Sequence, residues 1–252
     1  MANSPTGEPL LERLDRVLDA FSAADSPLTA AEISRRTGLP PATAHRLCTD
    51  MAARGWLEAL PGGYMVGARL WEITNRASTT MKLTIRARPY LSDVHAVVGH
   101  HVQLGVIEDD EVLFIDRLSG RGAPEIHGGV AGRLPLHLSA TGIVLLAYAP
   151  SDRRESYRRR HASAVAEDGV ALTEERLEDI RRRRFCAQTG AIEPDVTGLA
   201  VPISHRNGAV MAALGVVTDD HDAATRPGTW AQMLLVAARG IQRDVSSQWI
   251  SH

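Results

Sequence analysis

Residues 28–47, LTAAEISRRTGLPPATAHRL, read as two short helices joined by a sharp turn. The first begins at about Thr29, with Ala31 and Ile33 as inward positions. It ends at Thr37-Gly38, where glycine suits the left-handed residue after a helix. Pro40 and Pro41 then open a second helix, at positions where proline's missing N–H costs nothing. Along it Ala44, Leu47, Cys48 and Met51 form an apolar stripe, leaving Thr43, His45, Arg46, Thr49 and Asp50 on the other side. Upstream, Leu10, Leu11, Leu14, Val17, Leu18 and Phe21 recur at three- and four-residue steps, an amphipathic helix broken at Asp25-Ser26-Pro27. Downstream of Gly55 the period drops to two: residues 56–60 and 64–66 flank Pro61-Gly62-Gly63 as a hairpin. Helix, short helix, turn, helix and hairpin within about seventy residues make a winged helix-turn-helix.

A stretch without proline or glycine, Ala68 to Thr80, predicts a stiff connecting helix with Leu70, Trp71 and Ile73 apolar. From Lys82 onward helices and strands alternate. The pattern predicts a helix at 86–98, strands at 101–107 and 111–118, and an irregular glycine-rich stretch at 119–132 before Leu134-Pro135-Leu136-His137. Helices follow at 139–149, 151–161 and 173–184, then a hairpin of strands 199–204 and 209–217 across Asn207-Gly208, and a closing helix at 229–249. The fold class is α+β: residues 1–67 as a winged-helix domain, 68–81 as a linker helix, and 82–252 as a sensor-like α/β domain.

The chain has 252 residues, a hydrophobic fraction of 44% and a charged fraction of 23%, with 28 basic against 30 acidic side chains. That is the composition of a globular chain, not a disordered or collagenous one. Two distant cysteines exclude a disulfide-rich scaffold, and no apolar run approaches the length of a bilayer span. The N-terminus lacks a basic start followed by an apolar core, so a cytoplasmic protein without a membrane role is expected.

A helix-turn-helix presents the N-terminal half of its second helix to the DNA major groove. Arg35, Arg36, Pro41, Ala42, Thr43, His45 and Arg46 are therefore the candidate DNA contacts; an arginine can fork onto guanine or phosphate, and a threonine can donate to phosphate oxygens. Charge sets a limit on this reading. Residues 1–80 hold eight arginines and no lysine against nine carboxylates, a balance of −1, so any basic footprint is local.

The histidines His95, His100, His101, His127 and His137 show no metal-ligand spacing, so no metal is expected. His127 and His137 remain candidates for bonding an organic anion. Ser139 opens a helix, but its surroundings are not the G-x-S-x-G of a nucleophile elbow. Neither a P-loop nor G-x-G-x-x-G is present, so no cofactor and no catalytic residue is assigned.

Residues 28–47 resemble the helix-turn-helix of IclR-type bacterial transcription regulators. Three later segments agree in order: Gly132-Arg133-Leu134-Pro135-Leu136-His137 with Ser139 and Gly142; Glu193-Pro194 followed by Gly198-Leu199-Ala200-Val201-Pro202; and Val210-Met211-Ala212-Ala213-Leu214. The resemblance implies a winged-helix DNA-binding domain, a linker helix and a GAF-like effector-binding domain. It further implies a sequence-specific regulator, read as a repressor, that forms dimers or tetramers, binds operator DNA and responds to a small organic effector.

Carried over by position, the effector pocket is lined by Ile126, Leu134, Ala140, Thr141, Gln188, Val196, Gly198, Gly215 and Val217, with His127 beside it. The chain departs from the family pattern in having Ile143 where lysine is common, Gly198 where cysteine is common, Gly215 and Val217 in place of small hydroxyl residues, and Pro41 in place of a basic contact. Fewer polar groups leave more room, and an aromatic or partly apolar acid is the expected effector, held with help from Thr141, Gln188 or His127. The alternatives are an enzyme using the C-terminal pocket, or a protein-interaction module.

Overall fold

In the computed structural model, residues 8–22, 24, 26–121, 123–124 and 130–246 are described. The chain divides into two compact units, Met1–Ser78 and Thr79–His252.

The first unit contains α1 (Leu10–Asp19), α2 (Ala30–Thr37), α3 (Pro41–Ala53), β1 (Leu57–Leu60), β2 (Gly63–Val66) and α4 (Ala68–Ala77). Thr29 caps α2: its hydroxyl accepts from the Glu32 N–H at 3.2 Å, while the Glu32 carboxylate accepts from the Thr29 N–H at 2.8 Å. These reciprocal bonds satisfy two N–H groups that the helix start leaves unpaired. Gly38, at φ 70°, ends α2 and turns the chain. The buried Ser34 and Thr37 hydroxyls donate to Leu39 O and Ile33 O at 2.6 and 2.7 Å, which fixes the turn into α3. Val17, Leu28, Ile33, Leu39, Ala44, Leu47, Cys48, Met51 and Leu57 form the core.

One expectation fails in α1. Leu10 and Leu11 are 52% and 78% exposed, and Arg13 is buried in their stead. Val17 is fully buried and Leu14, Leu18 and Phe21 pack against the core, so only the later part of the apolar stripe is covered.

The second unit contains α5 (Thr79–Val98), β3 (His101–Glu108), β4 (Glu111–Leu118), β5 (Arg133–Pro135), α6 (Ala140–Tyr148), α7 (Ser151–Arg160), α8 (Ala162–Glu167), α9 (Glu174–Arg183), β6 (Cys186–Thr189), β7 (Thr197–Ser204), β8 (Val210–Thr218), α10 (His221–Thr225) and α11 (Pro227–Ser246). The predicted connecting helix therefore closes at Ala77, because Ser78 is extended. A single helix from Thr79, with Pro89 inside it, replaces the one expected from 86. The sequence reading missed α8, α10 and the four-residue β6.

The six strands form one antiparallel sheet in the order β5-β4-β3-β8-β7-β6. Helices α5 and α11 cover one face through Leu91, Val94, Leu104, Leu214, Leu234 and Ile241. Helices α6, α7 and α9 cover the other through Phe114, Ile143, Leu146, Tyr157, Leu177 and Ile180. The last carbonyls of α6 are closed by arginines, with Arg181 donating to Ala147 O at 2.8 Å and Arg154 to Ala149 O at 2.7 Å.

Helix α6 lies close to the sheet because the strands beneath it carry glycine. A Cβ on Gly105 would stand 2.6 Å from Val112 Cγ2 and 2.7 Å from Thr141 Cγ2, and one on Gly215 would stand 2.6 Å from Thr141 Oγ1. All three distances lie well inside van der Waals contact.

Candidate DNA-reading helix and candidate ligand cavity

In the first unit, α3 begins at Pro41 and buries Ala44, Leu47, Cys48 and Met51. Pro41, Ala42, His45 and Arg46 are thereby left exposed and Thr43 half-buried along the opposite side. Arg35, in the last turn of α2, is exposed as well. Arg36 is different: its guanidinium donates to Ala20 O at 2.8 Å and ties α2 to the end of α1. The wing runs antiparallel from Leu57 opposite Val66 to Leu60 opposite Gly63, so Gly63 belongs to the strand and not to the turn. A Cβ there would meet Leu28 O at 2.4 Å, where Leu28 and Tyr64 exchange backbone hydrogen bonds.

In the second unit a cavity of about 600 Å³, counting its open mouth, lies between the sheet and the start of α6. Among the expected positions Leu134, Ala140, Thr141, Gln188, Val196, Gly198 and Val217 line it. Gly215 does not, because the Thr141 hydroxyl stands directly over it. Ile126 and His127 lie outside the described residues.

The lining also holds residues that sequence reading missed, notably Gln103, Phe114 and Arg117. Arg117 donates to Gln103 Oε1 at 3.0 Å, Gln103 donates to Thr141 Oγ1 at 3.5 Å, and the guanidinium lies 5.1 Å from the Phe114 ring centroid. Burial pulls the Arg117 pKa down from its ordinary value. At the opposite rim Gln188 donates to His137 O at 3.4 Å and accepts from Arg176 at 3.2 Å. Ser139 is the N-cap of α6, accepting from the Gly142 N–H at 3.0 Å, and not a nucleophile held by a base.

The His137 ring is committed elsewhere. Its Nδ1 is 2.7 Å from the Tyr157 hydroxyl and its Nε2 is 2.8 Å from Asp168 Oδ2, so it is not an anion contact in the cavity. Burial pushes the Tyr157 pKa up to about 12. Among the described residues no cluster of His, Cys, Asp or Glu could hold a metal ion, and no helix is long and apolar enough to cross a membrane.

His101, on the cavity face of β3, is buried, with Nδ1 3.0 Å from Ser119 Oγ and Nε2 2.6 Å from Pro124 O. Desolvation, the largest cause, holds its pKa below the ordinary 6.5. The unfolded chain therefore takes up the proton first. The stability this histidine contributes is present above about pH 6.5 and is lost as pH falls through the folded-state value. Urea unfolding at pH 7.5 and 5.0 should show a loss for the wild type that is smaller in His101→Gln. Equal losses in both would sink the assignment.

Comparison with known proteins extends over nearly the whole chain. Residues 10–61 match the IclR helix-turn-helix domain, and residues 75–243 match the bacterial transcriptional regulator IclR C-terminal domain. The HTH-type transcriptional regulator BhcR of Paracoccus denitrificans is 30% identical over 215 residues, 82% of this chain and 77% of that protein. The Pca regulon regulatory protein of Pseudomonas putida is 26% identical, covering 84% and 76%. Among solved structures, an IclR homolog from Microbacterium hydrocarbonoxydans complexed with 4-hydroxybenzoate superposes with a TM-score of 0.81 at 37% identity, covering 94% of this chain and 99% of that one.

Proposed function

Because the chain belongs to the IclR family of bacterial transcriptional regulators and is a DNA-binding regulator responsive to a small molecule, we propose that an aromatic carboxylic acid seated in the cavity sets its affinity for an operator. The observation that carries this reading is the cavity itself: apolar walls from Phe114, Leu134, Val196 and Val217, with the Arg117 side chain and the first residues of α6 also in its lining. Apolar walls with a few placed polar groups are the usual form of a small-molecule site. The relative solved with 4-hydroxybenzoate supports the same class of ligand.

In this reading Thr43, His45 and Arg46, with Arg35, Pro41 and Ala42 beside them, meet the operator in the cytoplasm, and the protein represses. Arg36 acts by holding α2 against α1. Residues 68–81 join a DNA-binding domain of residues 1–67 to an effector domain of residues 82–252. Exposed Trp71 and Ile73 on α4, 66% and 44% accessible, supply apolar surface for a dimer. The ligand acts by binding one dimer geometry better than another, and its effect cannot exceed that difference in affinity.

Selection of the purified protein against randomised duplex DNA at two salt concentrations, with and without 4-hydroxybenzoate, tests the reading. A palindromic site whose affinity changes at least about tenfold with ligand is expected, about 1.4 kcal/mol of coupling. Weak, sequence-blind binding erased by salt under both conditions would remove it. The balance of −1 over residues 1–80 favours a second reading, a protein-interaction role for the first unit. Retention of a sequence-specific site excludes it.

A further inference from the structure

Strand β4 does not alternate regularly. Its register against β3 pairs Gly105 with Phe114 and Leu104 with Asp116, so Ile115 is an extra residue, a β-bulge. Regular alternation would place Phe114 and Asp116 on one face and Ile115 and Arg117 on the other. The bulge resets the parity. Phe114 and Arg117 share the cavity face, while Asp116 turns to the opposite face, is buried and pairs with Arg88 of α5.

Across the sheet from Arg117 the cavity floor is nearly bare. Arg117 pairs with Gln103, and one pleat further along the strands His101 pairs with Val217, Val217 with Gly198, and Gly198 with Gln188. Gly198 has no side chain, and a methyl there would make ordinary contact with Ala140 Cβ at 3.5 Å, Ala140 N at 3.8 Å and Gln188 O at 3.9 Å. Strands β4 and β6 are four spacings apart in the sheet, about 19 Å. Arg117 and Gln188 therefore belong to opposite rims of the cavity, with Val217 and Gly198 on the strands between them.

Resting on the reading of this cavity as the effector site, we propose that Arg117 is its specificity-determining residue. It receives the carboxylate of a planar aromatic monoacid and makes the site choose that acid over its neutral counterpart. A guanidinium donates two parallel bonds to a carboxylate and loses that geometry with an amide. Gln103 holds the fork in place, and Phe114 supports its flat face. Gln188, itself held by Arg176, meets a neutral polar group at the far edge of the ring, where a side-chain amide can both donate and accept.

Isothermal titration of the full-length protein with 4-hydroxybenzoate and 4-hydroxybenzamide tests this. The wild type should bind the acid at least about 30-fold more tightly than the amide. Arg117→Met should abolish that preference, chiefly by weakening the acid, and Arg117→Lys should keep part of it. If Arg117→Met does not fold by circular dichroism, the acid–amide ratio of the wild type and the lysine variant decides. Wild-type binding of acid and amide within threefold of each other overturns the role of Arg117 and leaves the cavity as an effector site. A preference that survives in Arg117→Met overturns it in favour of the α6 terminus. Binding of neither compound overturns this assignment together with the aromatic-acid reading it rests on.

Discussion

Gly105→Val is expected to destabilise the second unit by about 3 kcal/mol, the upper end for overpacking a core, and to abolish ligand binding. The new side chain has no direction in which to yield. Its Cβ alone lies 2.6 Å from Val112 Cγ2 on the neighbouring strand and 2.7 Å from Thr141 Cγ2 on α6. Relief requires lifting the N-terminus of α6 away from the sheet, and that terminus forms one wall of the cavity. In a domain of this size such a loss lowers Tm by roughly 6–12 °C. Gly228→Ala is the matched control: nothing lies within 4 Å of its Cβ, and it sits in the first turn of α11, so its stability should stay level or rise slightly. Calorimetry of both variants decides, and a Gly105→Val protein that melts with the wild type would mean that α6 does not pack as described.

Arg46→Ala should cost about 1–3 kcal/mol of operator affinity per half-site, roughly 5- to 150-fold, without unfolding the protein. The side chain is exposed on the polar side of α3, so its truncation leaves no cavity. The salt dependence of binding separates two roles. If Arg46 neutralises a phosphate, the slope of log K against log salt becomes about one unit shallower for each copy removed. If it reads a base edge, the slope holds and discrimination at one base pair is lost. The wing offers no basic side chain, since Glu58 is the only charged residue between Leu57 and Val66. Few arginines thus carry the electrostatic part, and each should matter. Affinity within twofold of wild type would exclude Arg46 from the interface.

The winged-helix unit was legible because its signals are local. Prolines at the start of α3, a glycine in the left-handed region after α2 and a clean apolar stripe each fix a short segment without help from the rest of the chain. The same locality explains the miss in α1, where periodicity marks Leu10 and Leu11 as apolar but cannot say how far the core reaches.

The cavity was harder. Leu134, Ala140, Thr141, Gln188, Val196, Gly198 and Val217 were found through resemblance to a known family, and Gly215 was lost to the close seating of Thr141. Gln103, Phe114 and Arg117 come from strands that were recognised, but their common face depends on a bulge in β4 whose one local signal is the lone Gly105 opposite it on β3, which marks a bulge without saying which residue is extra. Ala191, Ile192 and Glu193 enter the lining from an irregular loop, where periodicity carries no information. The short β6, Cys-Ala-Gln-Thr, has too few residues for any period to show.

The bulge at Ile115 bears on how such a site can be retuned. Asp116 and Arg117 are adjacent, so β4 carries both signs of charge in consecutive positions. Which sign meets a ligand depends on where the extra residue sits along the strand. That position is secured on the far side of the sheet, where Arg88 holds the Asp116 carboxylate and the Arg117 N–H donates to the same oxygen at 2.8 Å. The polarity of the recognition surface is thus stored in a salt bridge that no ligand touches. Changes at Arg88, outside any list of contact residues, belong among the first places to look when a related protein has changed the class of molecule it senses.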